Sequence, residues 1–379
     1  MRVENAASID DLASIARRRL PRFIFDFLDG GAGEGAGVRR NREAFERPRL
    51  RMLPFVGVSD ADTTVSLFGK TYAMPFGIAP MGYANLVWPG TDSILARIAA
   101  EKRIPYVLST GANTSLEDIA KVAGDMLWFQ LYIPKKDELL ENLLRRAQAV
   151  GVSVLAITID ALGSRRNRDI RNNFTPQFRY TPDIVWQLMR RPAWSFATLA
   201  AGSPRPANFD IRDYTGPKTS VTLAKMVGER NKQDATLEDF RRIRDLWKGK
   251  IFIKGVLDSH SARHLVDAGA DGIWVSNHGG RSLESLLPTG EALPAIRDAV
   301  GPDVPVIVDG GIRSGEDIVK ARALGATMAM SGRSFAYATG AGGAAGAARA
   351  VDLLSQQTRG TLKQLGCKSA GELDRTWLL

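Results

Sequence analysis

A single cysteine, Cys367, stands in 379 residues, and histidine occurs only three times. One thiol excludes an intramolecular disulfide and any cysteine-based metal cluster, and a reducing compartment is expected. Blocks of like charge are also missing. Lys and Arg number 51 against 41 Asp and Glu, a net charge of +10, but the densest basic runs (Arg17-Arg18-Arg19, Arg190-Arg191, Arg241-Arg242) are short and interrupted. No zinc-finger spacing or RNA-binding signature accompanies them, so nucleic acid is not expected as a partner, and a phosphorylated cofactor or an anionic surface suits the charge better. The N-terminus has no apolar core, because Asp10 and Asp11 precede Arg17; a signal peptide is not expected and a cytoplasmic location is. The uncharged stretch 71–91 does not read as a membrane span, since Pro75, Pro80 and Pro89 with Gly77, Gly82 and Gly90 would break a spanning helix.

What remains is a large apolar fraction arranged in a rhythm. Residues 1–50 read as a helical segment: Ser8 and Asp11 have capping-box spacing, Pro21 interrupts, and Gly30-Gly31 stops the run from Phe23. From residue 75, short apolar runs at 76–79, 106–109, 127–131, 154–159, 251–253, 272–275, 306–308 and 328–331 read as eight strands. Helical patterns at 93–102, 115–123, 136–149, 237–246, 259–268, 292–300 and 315–324 separate them. Strict strand–helix alternation with buried-looking strands predicts an α/β fold, a (β/α)₈ TIM barrel carrying an N-terminal helical segment and a long insertion after strand four. The chain 1–379 is expected to be one domain, with 161–235 as the insertion. A doubly wound open sheet fits less well, because Gly31-Ala32-Gly33 follows no strand. The Ala/Gly-rich run 341–348 reads as close helix packing or a loop.

Barrel enzymes build their sites at the C-terminal ends of the strands. Those positions hold Pro80, Met81 and Gly82, then Ser109, then Gln130 and Tyr132, then Thr158 and Asp160. Lys254 follows strand five, and Ser276, His278 and Arg281 follow strand six. The last two loops, Asp309-Gly310-Gly311-Ile312-Arg313 and Ser331-Gly332-Arg333, combine glycine backbone with arginine where barrels commonly bind phosphate. His260 and His264 are four apart on a helix but have no third ligand nearby, so no metal site is expected. His278 differs: it follows a strand, and glycines leave room beside it for a ligand.

The runs Ser276-Asn277-His278-Gly279-Gly280-Arg281, Trp128-Phe129-Gln130-Leu131-Tyr132, Asp309-Gly310-Gly311-Ile312-Arg313 and Leu108-Ser109-Thr110 together resemble the FMN-dependent 2-hydroxy acid dehydrogenase and oxidase family, whose members include glycolate oxidase, L-lactate dehydrogenase and mandelate dehydrogenase. The resemblance covers nearly the whole chain. It implies FMN as cofactor, a small 2-hydroxy acid as substrate, a quinone or oxygen as electron acceptor, and a homotetramer. It also implies roles: His278 as base, Asp160 as its orienting carboxylate, Tyr132 on the substrate hydroxyl, and Arg166 and Arg281 on the substrate carboxylate. Lys254 would stand near the flavin pyrimidine edge. Ser109, Gln130, Thr158 and Ser276 would bond the flavin ring or ribityl chain, Pro80 to Gly82 would supply backbone contacts, and Asp309 to Arg313 with Gly332 and Arg333 would form the phosphate end.

Two positions depart from the family pattern. Phe27 replaces a tyrosine that helps bind the carboxylate, and Gly111 replaces a bulky aromatic, which predicts a wider pocket and a bulky or aromatic, mandelate-like substrate. The insertion near 180–200 mixes Trp186, Trp194 and Phe196 with Arg190 and Arg191, which suggests either peripheral membrane contact or a lid over the barrel mouth. Alternative readings are an oxygen-using oxidase, another phosphate-binding barrel enzyme, or a barrel retained only for binding. Cys367, beyond the last barrel helix, argues against a catalytic-cysteine barrel of the IMP dehydrogenase type.

Overall fold

The computed structural model describes residues 1–160, 166–172, 174, 179–209 and 231–379. Helices α1 (Ile9–Arg19), α2 (Arg22–Asp29) and α3 (Ala36–Glu46) precede a hairpin of β1 (Val65–Leu67) and β2 (Lys70–Tyr72). The alternating body follows: β3 (Phe76–Ile78), α4 (Thr91–Lys102), β4 (Tyr106–Ser109), α5 (Leu116–Ala123), β5 (Leu127–Leu131), α6 (Asp137–Ala149) and β6 (Val154–Thr158). The long insertion contributes α7 (Asn167–Arg171), α8 (Pro182–Met189) and α9 (Pro192–Ala201). Then come α10 (Leu237–Leu246), β7 (Lys250–Val256), α11 (Ser259–Asp267), β8 (Gly272–Val275), α12 (Thr289–Val300), β9 (Val306–Asp309), α13 (Gly315–Ala323), β10 (Met328–Ser331) and α14 (Arg333–Leu365).

Strands β3 to β10 form a closed barrel in which β10 returns to pair in parallel with β3. Closure follows from the strands' composition: nearly every strand residue is buried, so each must be covered from inside the barrel and by a helix outside. The helix starts are chemically marked. Ser8 accepts from the Asp11 amide, and reciprocal capping boxes join Thr236 to Asp239 and Ser314 to Asp317.

One element was not expected, and one open reading is decided in favour of helix packing. The β1–β2 hairpin closes the N-terminal end of the barrel, where Phe68 meets Phe252 at 5.3 Å and the Trp128 indole donates to the Tyr72 hydroxyl at 3.1 Å. Trp128 and Phe252 stack at 5.8 Å and Trp274 packs on Phe252, so the barrel interior is an aromatic floor. The run 341–348 belongs to the 33-residue α14, which breaks only at Gly342 and Gly343. Close packing there is steric: a Cβ at Gly346 would lie 1.8 Å from the Ala338 carbonyl oxygen.

The N-terminal helices close over the other end. The Arg349 guanidinium of α14 donates to the Ala6 carbonyl at 2.6 Å just before α1, and Arg19 in α1 donates to Ala341 at 2.6 Å. The Arg191 side chain between α8 and α9 bonds Leu20 at 3.0 Å, and Trp194 donates to the Val87 carbonyl at 3.0 Å. The insertion therefore packs against the barrel mouth on one side while presenting Trp186, Met189, Phe196 and Leu199 to solvent on the other.

Candidate active site

The strand ends converge on one carboxylate–cation network. Lys254, at a bulge in β7, is buried with its Nζ 3.1 Å from Asp309 Oδ2 and 2.7 Å from Ser276 Oγ. Ser276 in turn donates to Asp309 Oδ1 at 2.8 Å, and the Trp274 indole donates to Oδ2 at 3.0 Å. Burial pulls the Lys254 ammonium down, but Asp309 and Asp160 outweigh it and leave the group above its ordinary value. A fixed positive charge therefore stands at the barrel mouth at neutral pH.

His278 follows β8 at φ +58°, continued by Gly279 at +64° and Gly280 at +76°. Three left-handed residues in a row turn the chain sharply, and at a non-glycine that conformation costs about 1–2 kcal/mol. Two bonds offset the cost. The His278 amide donates to Ser276 Oγ at 3.0 Å, and Nδ1 lies 2.8 Å from Asp160 Oδ1. Burial pushes the Asp160 carboxyl up, yet His278 and Lys254 dominate and hold it below the usual range. An ionised Asp160 retains the proton on Nδ1 and leaves Nε2 as the basic nitrogen.

Beside His278, the Phe27 ring lies between two guanidiniums, Arg166 at 5.0 Å and Arg281 at 5.1 Å from its centroid. Arg281 also donates to the carbonyls of Phe27 and Gly30 at 2.8 and 2.9 Å, so α2 is tied to the loop that carries His278. Arg166 pairs with Asp169 at 3.0 Å, and Phe174 packs edge-on against Phe27 at 5.0 Å. Burial raises the Asp169 carboxyl to about 6 despite Arg166. Tyr132 is kept neutral, since burial and the nearby Asp160 both push its phenol up.

A cavity of about 970 Å³, counted to its open mouth, joins these groups. Of the expected residues, Phe27, Pro80, Met81, Gly82, Gln130, Tyr132, Thr158, Lys254, His278, Arg281, Asp309, Gly310, Gly311, Arg313, Gly332 and Arg333 line it. Ser109, Asp160, Arg166 and Ser276 lie behind the lining and reach it through the partners described. The exposed His260 and His264 on α11 take no part.

The lining fits a flavin phosphate. Gln130 Oε1 accepts from Ser109 at 2.9 Å, leaving Nε2 buried without a partner among the described residues, and Thr158 Oγ1 is orphaned in the same way. Buried polar groups are rarely left unpaired, so these two call for a polar ligand. At the other end Gly310 and Gly311 have φ of +90° and +100°, and a Cβ on Gly311 would sit 2.3 Å from the Asn41 carbonyl oxygen. Only glycine fits there. Arg313 lines the same end with its guanidinium over Tyr337 at 5.6 Å. Arg333 commits three N–H groups to the Leu28, Gly279 and Gly30 carbonyls, so beyond lining the cavity it fastens α2 to the His278 loop.

Gly111 is set back from the cavity, with Tyr83 beside it. Gly111 does not line the cavity, and a Cβ on it would lie 3.9 Å from the Tyr83 ring, which does. Tyr83, Leu28, Ala84 and Val87 also line the cavity and were missed by sequence reasoning, because none is a polar or glycine residue of the strand-end motifs. Tyr83 could have been noticed only as the residue directly after Gly82.

Comparison with known proteins gives concordant likenesses. The family model described as FMN-dependent dehydrogenase matches residues 16–379. The chain is 37% identical to an L-lactate dehydrogenase of Pseudomonas syringae pv. syringae (strain B728a) over 377 residues, 98% of each protein. It is 35% identical to an (S)-mandelate dehydrogenase of Pseudomonas putida over 378 residues, covering 99% of this chain and 94% of that protein. A crystal structure of the monotopic membrane protein (S)-mandelate dehydrogenase superposes with a TM-score of 0.94 at 34% identity, over 99% of both chains.

Proposed function

The chain belongs to the FMN-dependent dehydrogenase family, and from that premise we propose that it oxidises a bulky, aryl-substituted 2-hydroxy acid to the 2-oxo acid and passes the electrons to a quinone. The observation that carries this reading is the pairing of a His278–Asp160 couple with two arginines around an unhydroxylated ring, all at one cavity. Arg166 and Arg281 neutralise the substrate carboxylate, and Tyr132 donates to the hydroxyl oxygen. His278 Nε2 takes the hydroxyl proton, and Asp160 stabilises the imidazolium that results. FMN, when bound, would take up the α-hydrogen together with the two electrons of its C–H bond. Lys254 would supply the positive charge that offsets the negative charge gained on reduction, while Gln130 and Thr158 would bond the ring and the 310–313 and 332–333 backbone would hold the phosphate. Phe27 places no hydroxyl beside the two guanidiniums, where a tyrosine would favour small acids, which supports a substrate that gains its binding from an aromatic side chain. Anaerobic bleaching of the yellow protein with glycolate, lactate and mandelate tests the reading. Mandelate should give the highest kcat/KM; glycolate or lactate in first place, or release of a flavin other than FMN on denaturation, would defeat it.

The acceptor and the surface are linked. Among the described residues no helix is long and apolar enough to cross a membrane. The solvent face of α8 and α9 nevertheless carries Trp186, Met189, Phe196 at 71% and Leu199 at 78% exposure, with Arg190 stacked on Trp186 at 5.9 Å. Apolar anchors beside cations suit the interface of an anionic bilayer, where a quinone dissolves. The opposite face, through Ile184 and Trp194, acts as the lid. Co-flotation with anionic but not zwitterionic liposomes is expected, and protein that stays soluble at low salt would leave only the lid. Assembly as a homotetramer completes the reading and is checked by light scattering.

A further inference from the structure

The wall of the cavity formed by Leu28, Tyr83, Ala84 and Val87 has one polar side-chain atom, the Tyr83 hydroxyl. That hydroxyl is buried and has no hydrogen-bond partner among the described residues. Burial pushes its phenol well above the ordinary tyrosine value, so it stays a neutral donor. The backbone holds it in an unusual place. Tyr83 has φ +57°, and its amide donates to the Gly111 carbonyl at 3.0 Å, which lays the ring beside Gly111 where no side chain competes. A left-handed tyrosine and an unsatisfied buried hydroxyl are each unfavourable, and both occurring at one cavity wall point to a ligand that repays them.

Resting on the reading of the chain as an aryl 2-hydroxy acid dehydrogenase, we propose that Tyr83 is a specificity-determining residue whose hydroxyl bonds a polar substituent on the substrate's aromatic ring, so that the preferred substrates are ring-hydroxylated aryl 2-hydroxy acids. The carboxylate and the reacting carbon are held by the Arg166, Arg281, Tyr132 and His278 group. On the strand-end side the unpartnered Gln130 and Thr158 atoms are assigned to the cofactor, whereas the Tyr83 hydroxyl belongs to the apolar wall that receives the side chain. A substrate lacking a polar ring substituent leaves this phenol unpaired in the complex, and sites of that kind discriminate strongly against analogues that lack the matching group.

The test compares mandelate with its 3- and 4-hydroxy and 3- and 4-methyl derivatives, using FMN-loaded wild type and Tyr83→Phe. The variant keeps the ring and the backbone conformation. At one ring position the hydroxyl compound should exceed its methyl counterpart by about tenfold or more in kcat/KM, and Y83F should erase that ratio while mandelate itself changes less than about threefold. The visible spectrum and FMN affinity should be unchanged. Absence of any hydroxyl-over-methyl preference in the wild type, or a preference that survives in Y83F, overturns the proposal. So does loss of FMN or a shifted flavin spectrum in Y83F without loss of selectivity, which would place the hydroxyl on the cofactor. Failure of every mandelate to bleach the flavin would instead defeat the underlying reading.

Discussion

The two sides of the cavity are built on opposite principles. On the strand side, Lys254, Ser276, Asp309, Asp160 and His278 bond one another in a continuous network, so each charge arrives with its partner. On the facing side, Phe27, Leu28, Tyr83 and Val87 present rings and aliphatic groups, and the guanidiniums of Arg166 and Arg281 lie over a phenyl face. Preorganised polar groups suit a step in which a proton moves. An apolar wall cannot assist that step, but it can sort side chains. The difference assigns chemistry to one side and selection to the other.

The assignment breaks most visibly at His278. His278→Ala should retain FMN and bind substrate, yet lose about 10²–10⁴-fold in the rate of flavin reduction. Normal stopped-flow reduction would move the base elsewhere. An intermediate effect is expected from Phe27→Tyr, which restores a hydroxyl near the carboxylate. Glycolate and lactate should gain on the order of tenfold in kcat/KM, as a hydrogen bond to a charged group permits, while mandelate gains less. A uniform change across all three acids would mean that Phe27 does not select. The smallest effect concerns Asp169, whose carboxyl is raised to about 6. It is ionised above that pH and neutral below. As pH falls from about 7.5 to 5.5 Arg166 loses its competing anion, so KM for a 2-hydroxy acid, itself ionised throughout, should fall a few-fold. Asp169→Asn should show the low KM at both pH values; an unchanged pH dependence in that variant would remove Asp169 from the account. For stability the sign is the same, because a folded-state pKa above the unfolded one favours folding at low pH and loses that contribution as pH rises through about 6.

The same division explains how much could be read from the chain. Strands such as 106–109, 127–131, 272–275 and 328–331 were legible because barrel strands are buried on both faces and appear as short apolar runs between turn residues. The strand-side groups were legible for a related reason, since polar residues just after apolar runs stand out. The hairpin at 65–72 was not, because three-residue strands carry too little pattern. In α14 the alanine and glycine run hid the helical period, and the Gly342–Gly343 break lies within it. On the selective wall, Gly111 was read as widening the pocket, and Tyr83, 28 residues earlier and beside it in space, went unnoticed. An apolar wall gives no local signal: its members come from α2, the loop after β3 and the segment under Trp194, and only packing brings them together.

The ties that close the cavity span almost the full chain. Asn41 and Asn277 exchange side-chain amide hydrogen bonds at 2.7 and 2.8 Å, Arg333 holds Leu28 and Gly30, and Arg349 holds Ala6. During synthesis the first helices therefore emerge with their partners still unmade, more than 200 residues away. They cannot dock until α14 has left the ribosome. At roughly 5–20 residues per second, a nascent molecule carries the exposed apolar faces of α1 and α2 for tens of seconds. The interval before the mouth can close is thus a period of aggregation risk, set by the order of the elements rather than by their stability.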